Sequence, residues 1–374
     1  MALFVGTLVV PLVQAERTPF DINRLTLPVG FHISVFADNI DSARMLTFTP
    51  GGVLLVSESG EGKVVALPDA KHTGKASHTI EILTGLNEPH GVAFYEGKLY
   101  VAENDKVRRY DWDEARLHPS NPKTLTELPS GGGHSTRSIL FHGGKMYISA
   151  GSSCNVCIEK DQRRATVMEF NPDGTGMKIF AKGLRNAVGL AVNPKTNTVW
   201  VTVNGRDWLG DDLPPETVYD LGKDGGVDGG WPFCYDDRTF DSEFAKSVNT
   251  GVGPDRCKNV IEPKVQMQAH SAPLGLAFTQ GPMFPPEYQN SIYVAFHGSW
   301  NRSVPTGYKV VRIKLDDKGQ PVGRTQDFIT GWLALGETKK GRWMGRPVGI
   351  AFDTDGAMYV SDDAGGRIYR VTWK

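Results

Sequence analysis

Six times along the chain a short hydrophobic strand runs into a polar junction, and the junction runs straight into a second strand of the form small-apolar-apolar-Phe or its near equivalent. Three of the six are TIEILTGLNEPHGVAF, KIFAKGLRNAVGLAV and PKVQMQAHSAPLGLAF. A repeat of about forty or more residues, with several short strands per unit, constrains the chain to stack units that cannot bury their faces alone. The expected fold is all-β: a six-bladed β-propeller of four-stranded antiparallel blades. The last unit supplies VGIAF, MYVSD and IYRVTW and then ends, one strand short. The N-terminal segment FHISVFAD has the form of an outer strand, so it is expected to complete that blade and close the ring without free edges.

The repeat also locates function. In an antiparallel blade the outer-to-inner junctions and the loops between second and third strands open on one face. The junctions carry Arg44, His90, His134, Arg185, Asn186, His270 and Arg346; the loops are SSCNVCIEKDQRRA, NGRDWLGDDLPPE and HGSWNRSVPTGYK. Long polar loops on one rigid face are where binding and chemistry concentrate.

Composition sets the outer limits. At 374 residues the repeat still covers the chain from about residue 31 onward, so residues 16–374 read as one propeller domain. Lys plus Arg (41) nearly balances Asp plus Glu (42), which points away from a nucleic-acid partner and toward a small ligand held by local charge. Residues 1–15, MALFVGTLVVPLVQA, resemble a secretory signal cleaved after Ala15, with a frayed apolar tail as the alternative; the stretch is too short to span a bilayer. Export predicts a periplasmic or secreted protein, and the four cysteines agree with it. Cys234 and Cys257 are expected to staple an irregular insertion between blades four and five. Cys154 and Cys157 form CNVC, for which a redox motif, half a zinc site and haem attachment compete with a loop-tightening disulfide. Ile158 stands where haem attachment needs His, and no second CxxC exists for zinc, so a disulfide is the expectation.

On the polar face Arg185, Arg302 and Arg346, with Arg342 and Arg206 close in sequence, form a cationic funnel suited to a polyanionic ligand, each guanidinium being a fork for a carboxylate. The competing reading pairs each Arg with a structural carboxylate. His134, directly after Gly131–Gly133, is the expected general base, and Arg137 three residues on is expected to shape the same pocket. The loop from Gly205 through Asp207, Asp211 and Asp212 offers oxygen ligands for calcium, or is a solvated acidic loop.

These stretches, with LPVGFHISVFAD, GGGHSTRSILF, the NGRD…DD…GGWPFCY segment, AFHGSWNR and GRPVGIAFDTDGAMYVSDD, resemble the glucose/sorbosone dehydrogenases, soluble six-bladed propellers that use pyrroloquinoline quinone (PQQ). The likeness is strongest to the sorbosone dehydrogenase-like branch that includes fungal pyranose dehydrogenase domains. It implies oxidation of a sugar, with hydride passing to PQQ while His134 takes the hydroxyl proton. It also implies PQQ contacts from Arg185, Asn186, Arg302 and Arg346 and calcium held by the turn Gly205–Arg206; the residues themselves add Arg342 to the cofactor contacts and Asp211 to the calcium ligands. The chain carries no CxxCH, so electrons are expected to leave to a separate acceptor, a protein or small mediator. HSTR is spaced one residue tighter than in the glucose branch, and the WNR loop lacks that branch's lysine, which leaves the sugar open. Two other readings compete: a sugar lactonase with an axial metal, needing converging Glu, Asn and Asp side chains, and a non-enzymatic binding propeller using Trp208, Trp300 and Trp343.

Overall fold

The computed structural model describes residues 18–374; the expected signal at 1–15 lies outside the described residues. Six four-stranded antiparallel sheets follow one another around a ring. The first blade runs from the axis outward through Ala43–Phe48, Leu54–Glu58, Lys63–Leu67 and Ile80–Leu83. The next four repeat this order, with inner strands Gly91–Tyr95, Ile139–His142, Ala187–Asn193 and Pro273–Phe278. The sixth is made of Pro347–Phe352, Met358–Asp362 and Arg367–Trp373 and is completed by Phe31–Asp38. The closing ladder runs from Phe31 opposite Trp373 to Asp38 opposite Arg367, with one bulge between Val35 and Ala37. The ring therefore closes as the sequence predicts.

The small residue that recurs in the inner strands has a steric cause. A Cβ on Gly189 would lie 2.3 Å from the Leu274 carbonyl oxygen, on Gly275 2.4 Å from that of Val348, and on Gly349 2.5 Å from that of Arg44, each in the next blade. Blades touch backbone to backbone at the axis, so only glycine fits there. A hydroxyl on the second strand ties the same seam. Thr202 Oγ1 accepts from the Gly189 N–H at 2.8 Å and donates to the Leu274 carbonyl at 2.7 Å. Ser57 does the same between Met45 and the His90 carbonyl, and Ser361 between Gly349 and the Arg44 carbonyl. Second strands such as Thr198–Val203, Ser291–Phe296 and Met358–Asp362 are buried along their whole length, which is why they read as largely apolar runs broken by small hydroxyls and, in the last, a buried aspartate.

The insertion stapled by Cys234–Cys257 falls inside the fourth blade and not between the fourth and fifth. After Glu216–Asp220 the chain leaves the sheet, and Val227–Asp228 pairs in parallel with the third blade's outer strand Lys178–Lys182. It then forms the ribbon Cys234–Tyr235 with Thr239–Phe240 and the helix Ser242–Val248, and returns as Val265–Met267. That outer strand is only three residues long, too short to mark the blade's end by alternation. Cys154–Cys157 is also bonded, and no cysteine among the described residues is free.

Phe31 packs edge-on against Phe284, Tyr288, Phe328 and Trp373 at 4.8–4.9 Å, joining the closing strand to the fifth blade. Phe31→Ala is expected to cost about 3–5 kcal/mol, the scale for emptying an aromatic core site, and deletion of residues 31–38 to abolish the cooperative transition. Thermal or denaturant unfolding followed by circular dichroism checks both.

Candidate active site on the junction face

Junctions and second-to-third loops open on one face, as expected, and enclose a cavity of about 490 Å³ at the axis. Polar side chains dominate its lining, with His134, Asn155, Arg185, Asn186, Asn204, Asp207, Glu216, His270, His297, Asn301, Arg44 and Arg346 reaching it beside Gly205, Ala272, Leu274 and Trp300. A larger groove of about 610 Å³ lies on the opposite face between the first and last blades. Two of its carboxylates are engaged in local turns, Asp69 accepting from Thr73 and Gly74 and Asp353 from Ala357, and none of the junction histidines and arginines lines it, so we place the chemistry at the junction face.

His134 follows Gly131 and Gly132, which have φ of +77° and +84°, and Gly133, whose N–H donates to the Ser153 carbonyl at 2.8 Å. Its Nδ1 lies 2.8 Å from the Ser152 carbonyl and 3.0 Å from Ser152 Oγ. A carbonyl only accepts, so Nδ1 carries the proton and Nε2 keeps its lone pair. Burial, reinforced by the Arg185 charge, lowers the imidazole to about 4, so it is neutral at pH 7. Arg137 does not reach the cavity. It is fully buried beneath the junction, donating to the carbonyls of His134 at 3.0 Å, Thr136 at 2.7 Å and Pro129 at 2.5 Å. Its role is to fix the His134 backbone and not to touch a ligand.

Arg185 reaches the cavity with its guanidinium already surrounded. Nε donates to the Asn155 carbonyl at 2.8 Å, and Nη1 donates to the carbonyls of Gly205 at 2.5 Å and Asn204 at 3.4 Å. Nη2 donates to Asn155 Oδ1 at 2.9 Å and Asp207 Oδ2 at 3.0 Å. It acts as a fixed positive charge and not as an open fork. Asn186 beside it has a buried Oδ1 without a hydrogen-bond partner, packed against Gly151. Arg346 uses Nε on the His297 carbonyl at 3.0 Å and Nη2 on the Gly298 carbonyl at 2.8 Å, under the rings of Tyr308 and Trp343. Burial lowers the pKa of both arginines.

The other cationic residues expected in the funnel do not converge. Arg302 does not line the cavity: it spans two loops, donating to the carbonyls of Asp211 and Ala269 and to Asp212 Oδ1. Arg342 is exposed outside the wall, and the Arg206 side chain turns sideways into a buried ion pair with Asp241. The three residues expected to hold calcium are also apart. The Gly205 carbonyl is in the wall but accepts from Arg185, and Asp211 stands on the rim, where Ser303 N–H holds its carboxylate below the usual range. As they stand, these residues do not form a cation site.

The wall holds more acid than the sequence suggested. Asp207 is split between Arg185 and Asn301 Nδ2 at 3.0 Å. Glu216 is fully buried and pushed up to about 7 by desolvation, against the N–H groups of Gly205 and Ala272 that its oxygens accept. His297 was missed: its Nε2 sits 2.9 Å and 3.0 Å from the two oxygens of Asp363, which also pairs with Arg44 at 2.8 Å. Burial lowers His297 to about 4 and works to raise Asp363, but His297 and Arg44 outweigh it and hold that carboxylate well below its usual range. The HGSW and VSDD stretches contained these residues, but no spacing rule joins two positions in different blades. Among the described residues the one His/Cys/Asp/Glu cluster dense enough for a metal is Cys154, Cys157 and Glu159, and its cysteines are bonded to each other.

A six-bladed ring whose junction face cages a neutral histidine among arginines, amides and engaged carboxylates defines a propeller built to bind a polar, partly anionic small molecule. The chain belongs to the TrAA12-like family, whose model matches residues 25–217 and 234–374. It is 26% identical over 416 residues to the pyrroloquinoline quinone-dependent pyranose dehydrogenase of Coprinopsis cinerea, covering 96% of this chain but just over half, 56%, of that protein. It is 24% identical to a pyrroloquinoline quinone-dependent sugar dehydrogenase of Hypocrea jecorina, covering 91% of this chain and 87% of the relative. The holo pyranose dehydrogenase PQQ domain of Coprinopsis cinerea superposes with a TM-score of 0.81 at 23% identity, covering 96% of this chain and 99% of that one. The calcium structure of a Trichoderma reesei family AA12 enzyme gives 0.80 at 21%, covering 94% and 97%. At such identities the superpositions establish the shared fold.

A Cβ on Gly151 would lie 2.4 Å from Asn186 Oδ1 and 2.7 Å from His134 Cβ. Gly151→Ala is therefore expected to displace both side chains and to weaken PQQ binding about tenfold or more, on the 1–3 kcal/mol scale of overpacking. Equilibrium titration of the purified protein with PQQ measures it.

Proposed function

We propose that this protein is a PQQ-dependent sugar dehydrogenase. The observation that carries the reading is His134: a neutral imidazole whose Nδ1–H is committed to Ser152, at the wall of a cavity that also holds the Arg185 and Arg346 charges. The relatives named for PQQ-dependent oxidation of pyranoses and sugars support the cofactor and the substrate class.

The residues present fit PQQ. The cavity has room for a planar tricarboxylate, Trp300 offers an aromatic edge, and Asn186 Oδ1 lacks a donor. Arg346 and Arg185 would offset the carboxylates, Arg346 by direct hydrogen bonds and Arg185 through its field. When bound, PQQ supplies an electron-poor quinone carbonyl that accepts hydride. His134 Nε2 takes the proton from the sugar hydroxyl as that hydride leaves carbon. Ser152 holds the imidazole in the tautomer this requires and shares the Nδ1 proton as the ring becomes cationic. Arg137 keeps the junction carbonyls in place behind it. The Gly205 carbonyl, with one of its two lone pairs taken by Arg185, would be the backbone donor for calcium in this wall. The sugar is left by the substrate class alone. Electrons pass to a separate acceptor, and the protein works in the periplasm or outside the cell. No helix among the described residues is long and apolar enough to cross a membrane.

The deciding experiment is dye reduction by the purified apo-protein with a panel of aldoses and sorbosone, with and without PQQ, in calcium and in EDTA. PQQ-dependent reduction is expected; no reduction together with no PQQ binding overturns the reading. His134→Ala is expected to keep PQQ affinity and to lower kcat by two or more orders of magnitude, the scale for loss of a general base, measured by steady-state kinetics. The lowered imidazole also fixes a pH profile. A His that protonates only near about 4 stays a base as pH falls through 6.5, so the acid limb of kcat/KM is expected below 6.5.

A further inference from the structure

Between the second and third strands of the third blade, residues 151–165 form an irregular loop, and the Cys154–Cys157 disulfide lies within it. This disulfide is half-exposed and its loop lines the cavity through Cys154 and Asn155, whereas Cys234 and Cys257 are each only 2% exposed and sit in a separate apolar cluster. Closing a loop of so few residues constrains little of the unfolded chain, so its effect is local geometry more than global stability.

What it fixes is Asn155. The Asn155 carbonyl accepts from Arg185 Nε at 2.8 Å. Its Oδ1 accepts from Arg185 Nη2 at 2.9 Å and from the Asp207 N–H at 2.8 Å, and its Nδ2 donates to the Asp207 carbonyl at 3.2 Å. One residue between two cysteines thus holds both members of the Arg185–Asp207 ion pair. The same loop holds the base: Ser152, which orients His134, donates from Oγ to the Cys154 carbonyl at 2.7 Å, and Glu159 accepts from Ser153 N–H at 2.6 Å.

We propose that Asn155 is a positioning residue for the cofactor cavity, locked by the Cys154–Cys157 disulfide, so that a dithiol reductant controls cofactor retention. The S–S bond accepts two electrons and two protons from the dithiol, giving two cysteine thiols and the reductant's own disulfide. The freed loop releases Asn155, and Arg185, losing two of its acceptors, no longer presents its charge at a fixed place. The inference rests on the cavity being the PQQ site.

The test uses the full chain, titrated with PQQ before and after dithiothreitol, with free thiols counted. Two thiols per chain are expected first, accompanied by at least a tenfold weaker PQQ Kd and an unchanged melting temperature. Cys154→Ser with Cys157→Ser should show the weakened Kd without reductant and no further response. Asn155→Ala should weaken PQQ binding similarly in the oxidised protein, and Asn155→Asp, which keeps the acceptor of Arg185, should recover most of it. Unchanged Kd after two thiols have appeared overturns the proposal, as does a loss that only follows a falling melting temperature. Amide hydrogen exchange supplies a readout independent of PQQ. Reduction should speed exchange at Asp207, whose N–H rests on Asn155, while blade amides are unaffected; unchanged exchange there refutes the clamp even if the oxidised protein binds no PQQ, an outcome that by itself refutes only the function proposed above.

Discussion

Every geometric statement about the cavity depends on the seam where one blade meets the next. There a glycine lets two inner strands approach until a Cβ would collide with a carbonyl, and a buried hydroxyl on the second strand bridges them. The hydroxyl is satisfied on both sides, as donor and as acceptor, so in a dry interior it is a strong directional tie and an expensive one to break. Because the carbonyls reached this way belong to residues such as His90, Leu274 and Arg44, in or next to the junctions, the seam sets the distance from one junction to another. A ring has no slack for one blade to shift alone. The outer closing ladder of Phe31–Asp38 with Arg367–Trp373 holds the last of these seams shut.

On that frame the cavity is balanced, not merely cationic. Arg44, Arg185 and Arg346 meet Asp207, Glu216 and, behind the wall, Asp363. Each of the three guanidinium groups has carbonyl or carboxylate acceptors close by, and burial without them would cost several kcal/mol per ion. It also separates the arginines by function. A guanidinium whose donors are all met contributes field; one with an unshared nitrogen contributes hydrogen bonds as well.

The sequence revealed the fold through period and alternation, and the junction residues through their position just before each inner strand. His134, Arg185, Asn186 and Arg346 were legible for that reason: residues entering an inner strand mostly open toward the axis, although His90 and Arg137 turn into the seam between blades instead. Residues in the long loops were not legible. Arg302 and Asp211 lie on the right face but on loops that fold over one another and consume each other's polar groups. Arg206 is drawn aside by Asp241, which arrives from an insertion whose place in the fourth blade no alternation marked. Asn155, Asp207, His297 and Asp363 matter through contacts between blades, and a hydrogen bond across 52 or 66 residues leaves no periodic trace.

The two histidines of the wall show how the same side chain is given different work by what holds its other nitrogen. His297 points Nε2 at a carboxylate that Arg44 keeps ionised, which favours a proton on that ring, yet burial with the Arg346 and Arg44 charges outweighs it and holds the imidazole at about 4. His134 rests Nδ1 on a neutral carbonyl and hydroxyl, with the Arg185 charge nearby, so protonation there is opposed by the surroundings. A carboxylate set against Arg185 and Arg346 would weaken the repulsion on both rings, while burial, the larger cause, would go on disfavouring their charged forms.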